Sequence, residues 1–591
     1  MSKRRIGVYV CHCGGNISDY VDVGSVVEQI SDSDEVVVAR EAMFTCSDAT
    51  QQEIAEDIRE QNLDGLVVAS CSPKLHTFTF RGVARRAGLN PYQYTQVNLR
   101  EQCSWAHTDD KPGATRKAVR LVRAGINRTA LTTALEPAVV DTLPKGLVIG
   151  GGVAGMRAAL GLADIGLHAY LVERTGTLGG WVADLDRMYP HDRRGDALAA
   201  ELEQAVRARS DITVLTHAEV VAKAGSFGNY RVDIAVTGDG GRPENVQVEV
   251  GSIIVATGVD TYTPTDGEYG YGIDGVVTLP EFQRLVSAGV PLTHQGRPIH
   301  DIAYIYCVGS RTEGQGETTG PHRSNPDCSR YCCTATLNAA LSVSAAVTDA
   351  GGAPVRQYHL YRDMRAYGKY ELLYGKARAE GSVFVKVPDG EPPEVRRAEG
   401  GGLAVTTKDA LAPGRDITLP VDLVVLVTGM VPRENDTLIQ ALKLPVGTDG
   451  FLHEIHPKLR PVETVVDGVY ICGGCQSPKT SAESVTSALA AVTQSAAILK
   501  RGTAELDPMV ATVRAEACTW CGTCVDACPY DAVLKVAAES GDGEVARIDP
   551  TGCKGCGGCV PVCPEDAIDL QGYTDAQVMS MIDGMLKEPV R

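Results

Sequence analysis

Eight of the nineteen cysteines stand near the C-terminus in two copies of one spacing. The first run is Cys518-x2-Cys521-x2-Cys524-x3-Cys528-Pro529, and the second is Cys553-x2-Cys556-x2-Cys559-x3-Cys563-Pro564. Three thiolates at this pitch wrap one corner of an iron–sulfur cubane. A fourth, three residues on and before proline, reaches across to the neighbouring cluster. The spacing predicts one [4Fe–4S] centre on Cys518, Cys521, Cys524 and Cys563, and a second on Cys553, Cys556, Cys559 and Cys528. Structural zinc needs only four cysteines per site and gives no reason for a repeated Cys-Pro ending. The chemistry open to these residues is electron transfer.

Five more cysteines lie early in the chain, each after a strand-like run. Cys11 and Cys13 follow IGVYV, Cys46 follows EVVVAR, Cys71 follows GLVVAS and Cys103 follows YQYTQVNL. Ligands of open parallel sheets gather at the carboxyl ends of the strands, so all five should meet at one edge. A cubane takes four thiolates, which predicts one further [4Fe–4S] cluster with one cysteine spare. Whether Cys11 or Cys13 ligates stays open. Unrelated core cysteines in an α/β domain are the alternative, but they would not place a thiol after every strand.

A different chemistry is written at Gly150-x-Gly152-x-x-Gly155, between the strand-like run 146–150 and a helix, with Val153 and Ala154 among the candidate cofactor contacts. Glycines there allow a tight turn and the approach of a diphosphate to a helix N-terminus. A second strand ends at Glu173-Arg174, where an acid can accept from a ribose hydroxyl. The following Gly176-Thr177-Leu178-Gly179-Gly180 resembles the flavoprotein segment after the FAD-ribose acid. Ile253 to Thr257-Gly258 resembles the strand and turn closing an FAD domain. The run from Thr464 to Gly473-Gly474 resembles the segment returning to the flavin. Gly429 and Cys475 complete the candidate FAD contacts.

Residues 140–505 thus look like a two-dinucleotide-domain flavoprotein of the thioredoxin-reductase type. That architecture asks for a second glycine fingerprint near residue 305. The strand IAYIYC is followed instead by Cys307-Val308-Gly309-Ser310-Arg311, and later by Cys328-x3-Cys332-Cys333. The reading is a fourth [4Fe–4S] cluster on Cys307, Cys328, Cys332 and Cys333 beside the flavin. A redox dithiol at Cys332-Cys333 is the alternative, although adjacent cysteines form only strained disulfides. Cys472-x2-Cys475 could mimic a redox dithiol, but its place in the FAD-closing segment favours small-side-chain packing beside the flavin. Five, four, eight and these two account for all nineteen.

The elements that must position these groups divide the 591 residues into an N-terminal parallel α/β cluster domain (1–135), an FAD domain pair (140–505), a dicluster domain (506–572) and a C-terminal helical tail (573–591). In that tail Met581, Ile582 and Met585 read as a docking or core stripe. The fold class is α/β. A formal charge of −18 argues against nucleic acid, which asks for a basic footprint. The apolar run after Met1-Ser2-Lys3-Arg4-Arg5 is too short for a signal peptide. No run is long enough for a membrane span. Cysteines used as ligands point to a reducing, cytoplasmic setting.

Taken together the motifs resemble the A subunit of heterodisulfide reductase and its bacterial relatives, over nearly the whole chain. The resemblance rests on VCHCGGNI at 10–17, TCSDATQ at 45–51, ASCSPKLH at 69–76, REQCSW at 100–105, GGGVAGMRAAL, CVGSR, CSRYCC at 328–333, GGCQSPK at 473–479 and the paired, bacterial-type ferredoxin runs. It implies FAD, several [4Fe–4S] clusters and a cytoplasmic complex. The partners implied are cysteine-rich B and C subunits (HdrB-like and HdrC-like), a hydrogenase, formate dehydrogenase or flavoprotein module, and ferredoxin, in a homodimer of such heteromers. Three departures stand out. HDRRGDALAAEL follows GGWVADLDRMYP where archaeal-type members carry an additional ferredoxin insert. The loop RTEGQGETTGPHRSNPD is longer than the family's usual spacing. Members that bifurcate electrons resemble LEFE where this chain ends a segment in Gln283, and carry a lysine where it has Asn338. A Glu–Lys pair could tune a flavin, whereas two amides carry no charge. Two other functions compete: an NAD(P)H-dependent oxidoreductase resembling the small subunit of glutamate synthase, and a non-catalytic relay with a vestigial flavin site.

Overall fold

Strand β1 (Ile6–Cys11) is buried at every residue, as a central strand covered by helices on both faces must be. In the computed structural model it pairs in parallel with β2 (Val36–Ala42) on one side and β3 (Gly65–Ser70) on the other. β4 (Tyr94–Asn98) extends the sheet beyond β3. Helices α1 (Val23–Ser31), α2 (Asp48–Glu60), α3 (Pro73–Ala87) and α4 (Lys111–Ala130) follow the strands in turn. Asp22, Ser47, Ser72 and Asp110 cap them by accepting first-turn N–H groups, each cap contributing about 1 kcal/mol. Side chains alternate across the sheet. Val8 and Val10 therefore join a core with α1 and α4, while Tyr9 joins one with α2 and α3.

The structure describes residues 3–185, 187–188, 193–238, 243–289, 292–312, 325–399, 401–412, 414–539, 541 and 543–586. Met1 and Ser2, Tyr189 to Asp192 (which include the start of HDRRGDALAAEL) and most of the long loop after Arg311 lie outside the described residues. The chain divides into two compact units, Met1–Val140 with Glu505–Arg591, and Asp141–Ala504.

The second unit holds two parallel sheets. Its strands are β5 (Lys145–Ile149), β6 (His168–Val172), β7 (Ile212–Leu215), β8 (Ser252–Val255), β9 (Val276–Thr278), β10 (Asp301–Val308), β11 (Arg356–Tyr361), β12 (Val383–Lys386), β13 (Leu423–Thr428) and β14 (Val469–Ile471). They form the orders β7-β6-β5-β8-β14 and β9-β13-β10-β11-β12. Helices α5 (Val153–Asp164), α6 (Cys332–Asp349) and α7 (Ser481–Leu499) follow β5, the loop after β10, and the loop after β14. Each sheet is covered by helices on one face and by a three-stranded antiparallel sheet (218–250 for the first, 394–421 for the second) on the other, and open parallel sheets bind ligands past the strands' carboxyl ends.

Residues 505–591 share a unit with the N-terminal sheet, whereas the sequence reading sets the two apart as separate domains. Two short antiparallel pairs, Ala511–Val513 with Ile568–Leu570 and Val533–Ala537 with Glu544–Ile548, frame a small core rich in cysteine. The terminal α8 (Asp575–Leu586) lies on α4. A Cβ on Gly584 would stand 3.0 Å from Ala124 backbone. Arg128 of α4, buried, donates to Gly572 O at 2.6 Å and stacks over Tyr573 at 3.9 Å. Ile582 and Met585 stay exposed and form no core stripe. No described helix is long and apolar enough to cross a membrane.

Candidate functional site

β5 runs straight into the glycine turn. Gly150 has φ +112°, and a Cβ there would stand 2.4 Å from Ala256 O. Only glycine fits this turn. Gly152 has open space where its Cβ would be and opens α5 without a side-chain cap, leaving the N–H groups at Val153 and Ala154 to face a ligand. Glu173, just past β6, braces the turn: Oε2 accepts from Gly151 N at 2.6 Å, and Oε1 accepts from Thr175 N at 2.8 Å. Gly179 pairs with Gly152, and a Cβ on Gly180 would approach Gly152 Cα at 3.1 Å.

Above this turn opens a cavity of about 1160 Å³, lined by Gly150, Gly152, Glu173, Arg174, Gly179, Gly180, Thr257, Gly258 and Gly474 among others. Thr257 Oγ1 is buried with no partner among the described residues. An open glycine cradle, an uncapped helix start and an orphaned hydroxyl are what a dinucleotide would fill, so the residues present fit FAD. Gln283 and Asn338 line the same cavity.

Some expected contacts fall elsewhere. Gly155 lies beneath the turn, where a Cβ would meet Gly150 O at 1.8 Å. Gly473 packs on Ala154. Gly429 stands beside Ser329 and Ser310, against the cysteine loop of the second sheet rather than in the cavity. Cys475 is buried, with its S–H directed at Cys472 O (3.1 Å) and Val255 O (3.4 Å). Burial raises both Cys472 and Cys475, which does not suit a reactive dithiol. The structure also adds lining residues that the sequence reading does not single out. Trp181, whose Nε1 donates to Val259 O at 2.8 Å, adjoins Gly179-Gly180, and that neighbourhood was a usable signal. Arg433, which donates to Thr257 O at 2.9 Å and pairs with Asp260, arrives from far along the chain and left none.

β10 ends differently from β5. Cys307 (φ +63°), Arg311 (+56°) and Arg330 (+61°) all adopt left-handed backbone, a cost of about 1–3 kcal/mol each that the surrounding fold must sustain. A Cβ on Gly309 would strike the Tyr262 ring at 2.0 Å, so Tyr262 packs where a phosphate turn would need room. Cys332 and Cys333 open α6, and Arg330 N donates to Cys328 Sγ at 3.3 Å. A hydrogen bond between the neighbours pushes Cys332 up and Cys333 down to about 7, and Cys307 and Cys328 push Cys332 further up. Burial and then Cys333 push Cys307 up to about 11. These four thiols share one neighbourhood. Tyr331, Thr334 and Ala335 from the same stretch line the dinucleotide cavity.

At the N-terminal sheet edge, burial and then the neighbouring Cys11 and Cys13 raise Cys46. Burial pushes Cys71 up to about 11, with Arg100 opposing and Cys13 and Cys11 adding. Cys13 N and Thr45 N donate to Cys11 Sγ at 3.3 and 3.4 Å. The structure therefore gathers Cys11, Cys13, Cys46 and Cys71 and sets Cys103 apart, which alters the expectation that five converge. Cys103 is fully buried in the π-helical turn Arg100–Ser104 and donates to Ala114 O at 2.9 Å. Its partner is α4, not the sheet edge.

In the C-terminal repeat, Cys518, Cys521, Cys524 and Cys563 line one small cavity. Burial and then the neighbouring Cys553, Cys556 and Cys528 push Cys559 up to about 11. The two halves repeat their backbone: Trp520 and Gly555, Gly522 and Gly557, Asp531 and Asp566 all have positive φ at matching positions. Ala532 N and Ala567 N donate to Cys528 Sγ and Cys563 Sγ at 3.4 and 3.3 Å. Among the described residues no three His, Cys, Asp or Glu close on a single ion.

Residues 517–567 match the 4Fe-4S dicluster domain family, and residues 111–309 the pyridine nucleotide-disulphide oxidoreductase family. The chain is 38% identical to an iron–sulfur A subunit (the second of that name) of the CoB–CoM heterodisulfide reductase of Methanopyrus kandleri, over 90% of this chain and 91% of that one. It is 36% identical to the A subunit of the H(2):CoB-CoM heterodisulfide,ferredoxin reductase of Methanothermobacter marburgensis, over 100% of this chain and 98% of that one. Among solved structures, T. acidophilum thioredoxin reductase matches at 15% identity and a TM-score of 0.41, over 60% of this chain and 97% of that one.

Proposed function

The chain belongs to the family of heterodisulfide reductase A subunits, and from that premise we propose that it passes electrons between partner redox modules through one FAD and four [4Fe–4S] clusters. It is an oxidoreductase subunit with a flavin-type domain and a dicluster iron–sulfur domain. The observation that carries the proposal is the neighbourhood of Cys307, Cys328, Cys332 and Cys333, whose own stretch contributes Tyr331 to the dinucleotide cavity. FAD bound there would supply two-electron capacity next to one-electron carriers. The residues of the chain do the holding. The Gly150–Ala154 backbone takes the diphosphate, Glu173 the ribose, and Thr257 a polar edge of the ligand.

The four cysteine sets would be Cys11, Cys13, Cys46 and Cys71; Cys307, Cys328, Cys332 and Cys333; and the two crossed sets of the C-terminal repeat. The complex would include B and C subunits and a hydrogenase or formate dehydrogenase module, in the cytoplasm. A hydrogen-linked name among the relatives supports the hydrogenase. Gln283 and Asn338 are neutral at the cavity wall, so the flavin lacks a Glu–Lys charge pair there and converts electrons without bifurcating them. A potentiometric titration followed by EPR checks this. Two one-electron potentials lying close together are expected, and strongly crossed potentials would overturn the assignment.

The competing NAD(P)H-dependent reading needs a phosphate turn at Gly309, where Tyr262 packs. Anaerobic reduction separates the two. Reduced ferredoxin should bleach the flavin band, while NADH and NADPH leave it unchanged. Stoichiometric bleaching by either nicotinamide would sink the proposal.

A further inference from the structure

Lys479 is a half-buried cation whose hydrogen-bond partners are neutral. Its Nζ donates to Gln476 Oε1 at 3.1 Å and Ser477 Oγ at 2.8 Å. Glu454 is kept one amide away, accepting from Gln476 Nε2 at 2.7 Å. Glu483 is taken by Arg330 at 2.5 Å and by Thr480 N at 2.9 Å. Burial lowers the Lys479 pKa, with Cys475 and Glu454 opposing. The side chain nevertheless lines the 1160 Å³ cavity, together with Thr480 and Ser481 at the N-terminus of α7.

The sheet order says which part of a dinucleotide Lys479 meets. Glu173 follows β6, the Gly150 turn follows β5, Thr257-Gly258 follow β8, and Lys479 follows β14, in the spatial order β6-β5-β8-β14. With strands spaced at about 4.8 Å, β14 ends roughly 10 Å from β5, on the side away from Glu173. A ligand with its adenosine ribose at Glu173 and its diphosphate at the turn therefore extends its other half toward Lys479. In FAD, that half is the isoalloxazine. This step rests on the FAD reading above.

We propose that Lys479 is the positioning cation that compensates the negative charge an isoalloxazine takes on at N1–C2=O when reduced. Other cations lining the cavity are committed or misplaced. Arg433 pairs with Asp260, Arg193 with Glu201, Arg187 is engaged, and Arg174 stands at the adenosine end beside Glu173. The partial positive charge of the α7 N-terminus adds to Lys479.

Sulfite tests this without turnover. Its sulfur lone pair attacks N5 of the oxidised ring, an N–S bond forms, and the displaced ring electron pair rests at N1–C2=O, so no reductant is needed. The full chain, purified anaerobically with FAD, is titrated with sulfite at the flavin band as wild type, Lys479→Gln and Lys479→Arg. The glutamine variant should keep wild-type FAD, because the oxidised ring is neutral, and bind sulfite about ten-fold or more weakly. The arginine variant should stay within about three-fold of wild type, since it keeps the charge. Equal sulfite affinity in wild type and Lys479→Gln would overturn the inference, as would a wild-type flavin that takes up no sulfite. Loss of FAD from Lys479→Gln alone would assign the lysine to the diphosphate and also overturn it. A wild-type chain that holds no FAD would bring down the cofactor reading itself, and the inference with it.

Discussion

Cysteines of one type play different parts here, and their neighbours decide which. Cys103 spends its S–H on Ala114 O inside a packed core, and Cys475 spends its own on backbone carbonyls beneath the cavity. Cys71 and Cys46 instead feel the charges of Cys11 and Cys13. Thiols held together resist ionising side by side unless a cation shares the charge, which suits the ligand role proposed for this set. Substitution should divide the residues accordingly. Cys71→Ala, Cys332→Ser and Cys333→Ser should each lose about four irons per chain, whereas Cys103→Ala and Cys472→Ser should lose none. Iron analysis with EPR at low temperature reads the difference. In addition, the Cys332 and Cys333 variants should perturb the flavin absorbance, because Tyr331 and Thr334 beside them line its cavity.

At the scale of elements, two strand-to-helix turns that begin alike present different groups. After β5 the turn is all glycine and its space is open at Gly152; after β10 the matching Gly309 is covered by the Tyr262 ring, and α6 starts on cysteines. The same kind of open parallel sheet therefore presents backbone N–H groups in one case and thiols in the other. Gly150→Ala should weaken FAD by about ten-fold or more, since left-handed strain and the clash with Ala256 O both oppose the cradle. Flavin absorbance per chain after gel filtration checks this, and the iron content should be unchanged. The Gly150 turn was legible in the sequence because strand, glycines, helix and acid lie within one continuous stretch. The displacement of Gly429 to Ser329 was not, because it depends on the register of β13 beside β10.

For the whole molecule, the expectation is about sixteen irons and one FAD per chain, from four cubanes of four. Anaerobic preparation with iron, sulfide and flavin analysis measures it, and eight irons with no loss on purification would leave only the C-terminal repeat loaded. The sequence by itself determined the dicluster domain with its repeated cysteine spacing, the Gly150 turn and the α/β class. Each is a pattern of short spacing whose geometry follows from local backbone conformation, as the matched positive φ values of Trp520 and Gly555 illustrate. Tertiary structure alone decided that Cys103 faces α4 while Cys11 and Cys13 both join the edge set, that residues 505–591 share a unit with the N-terminal sheet, and that Lys479 stands in the cavity with neutral hydrogen-bond partners among the described residues. The rotation of a helical turn, the neighbour of a strand and the distance to a counter-charge are set by which distant segments bury one another, and residue spacing along a chain does not carry that information.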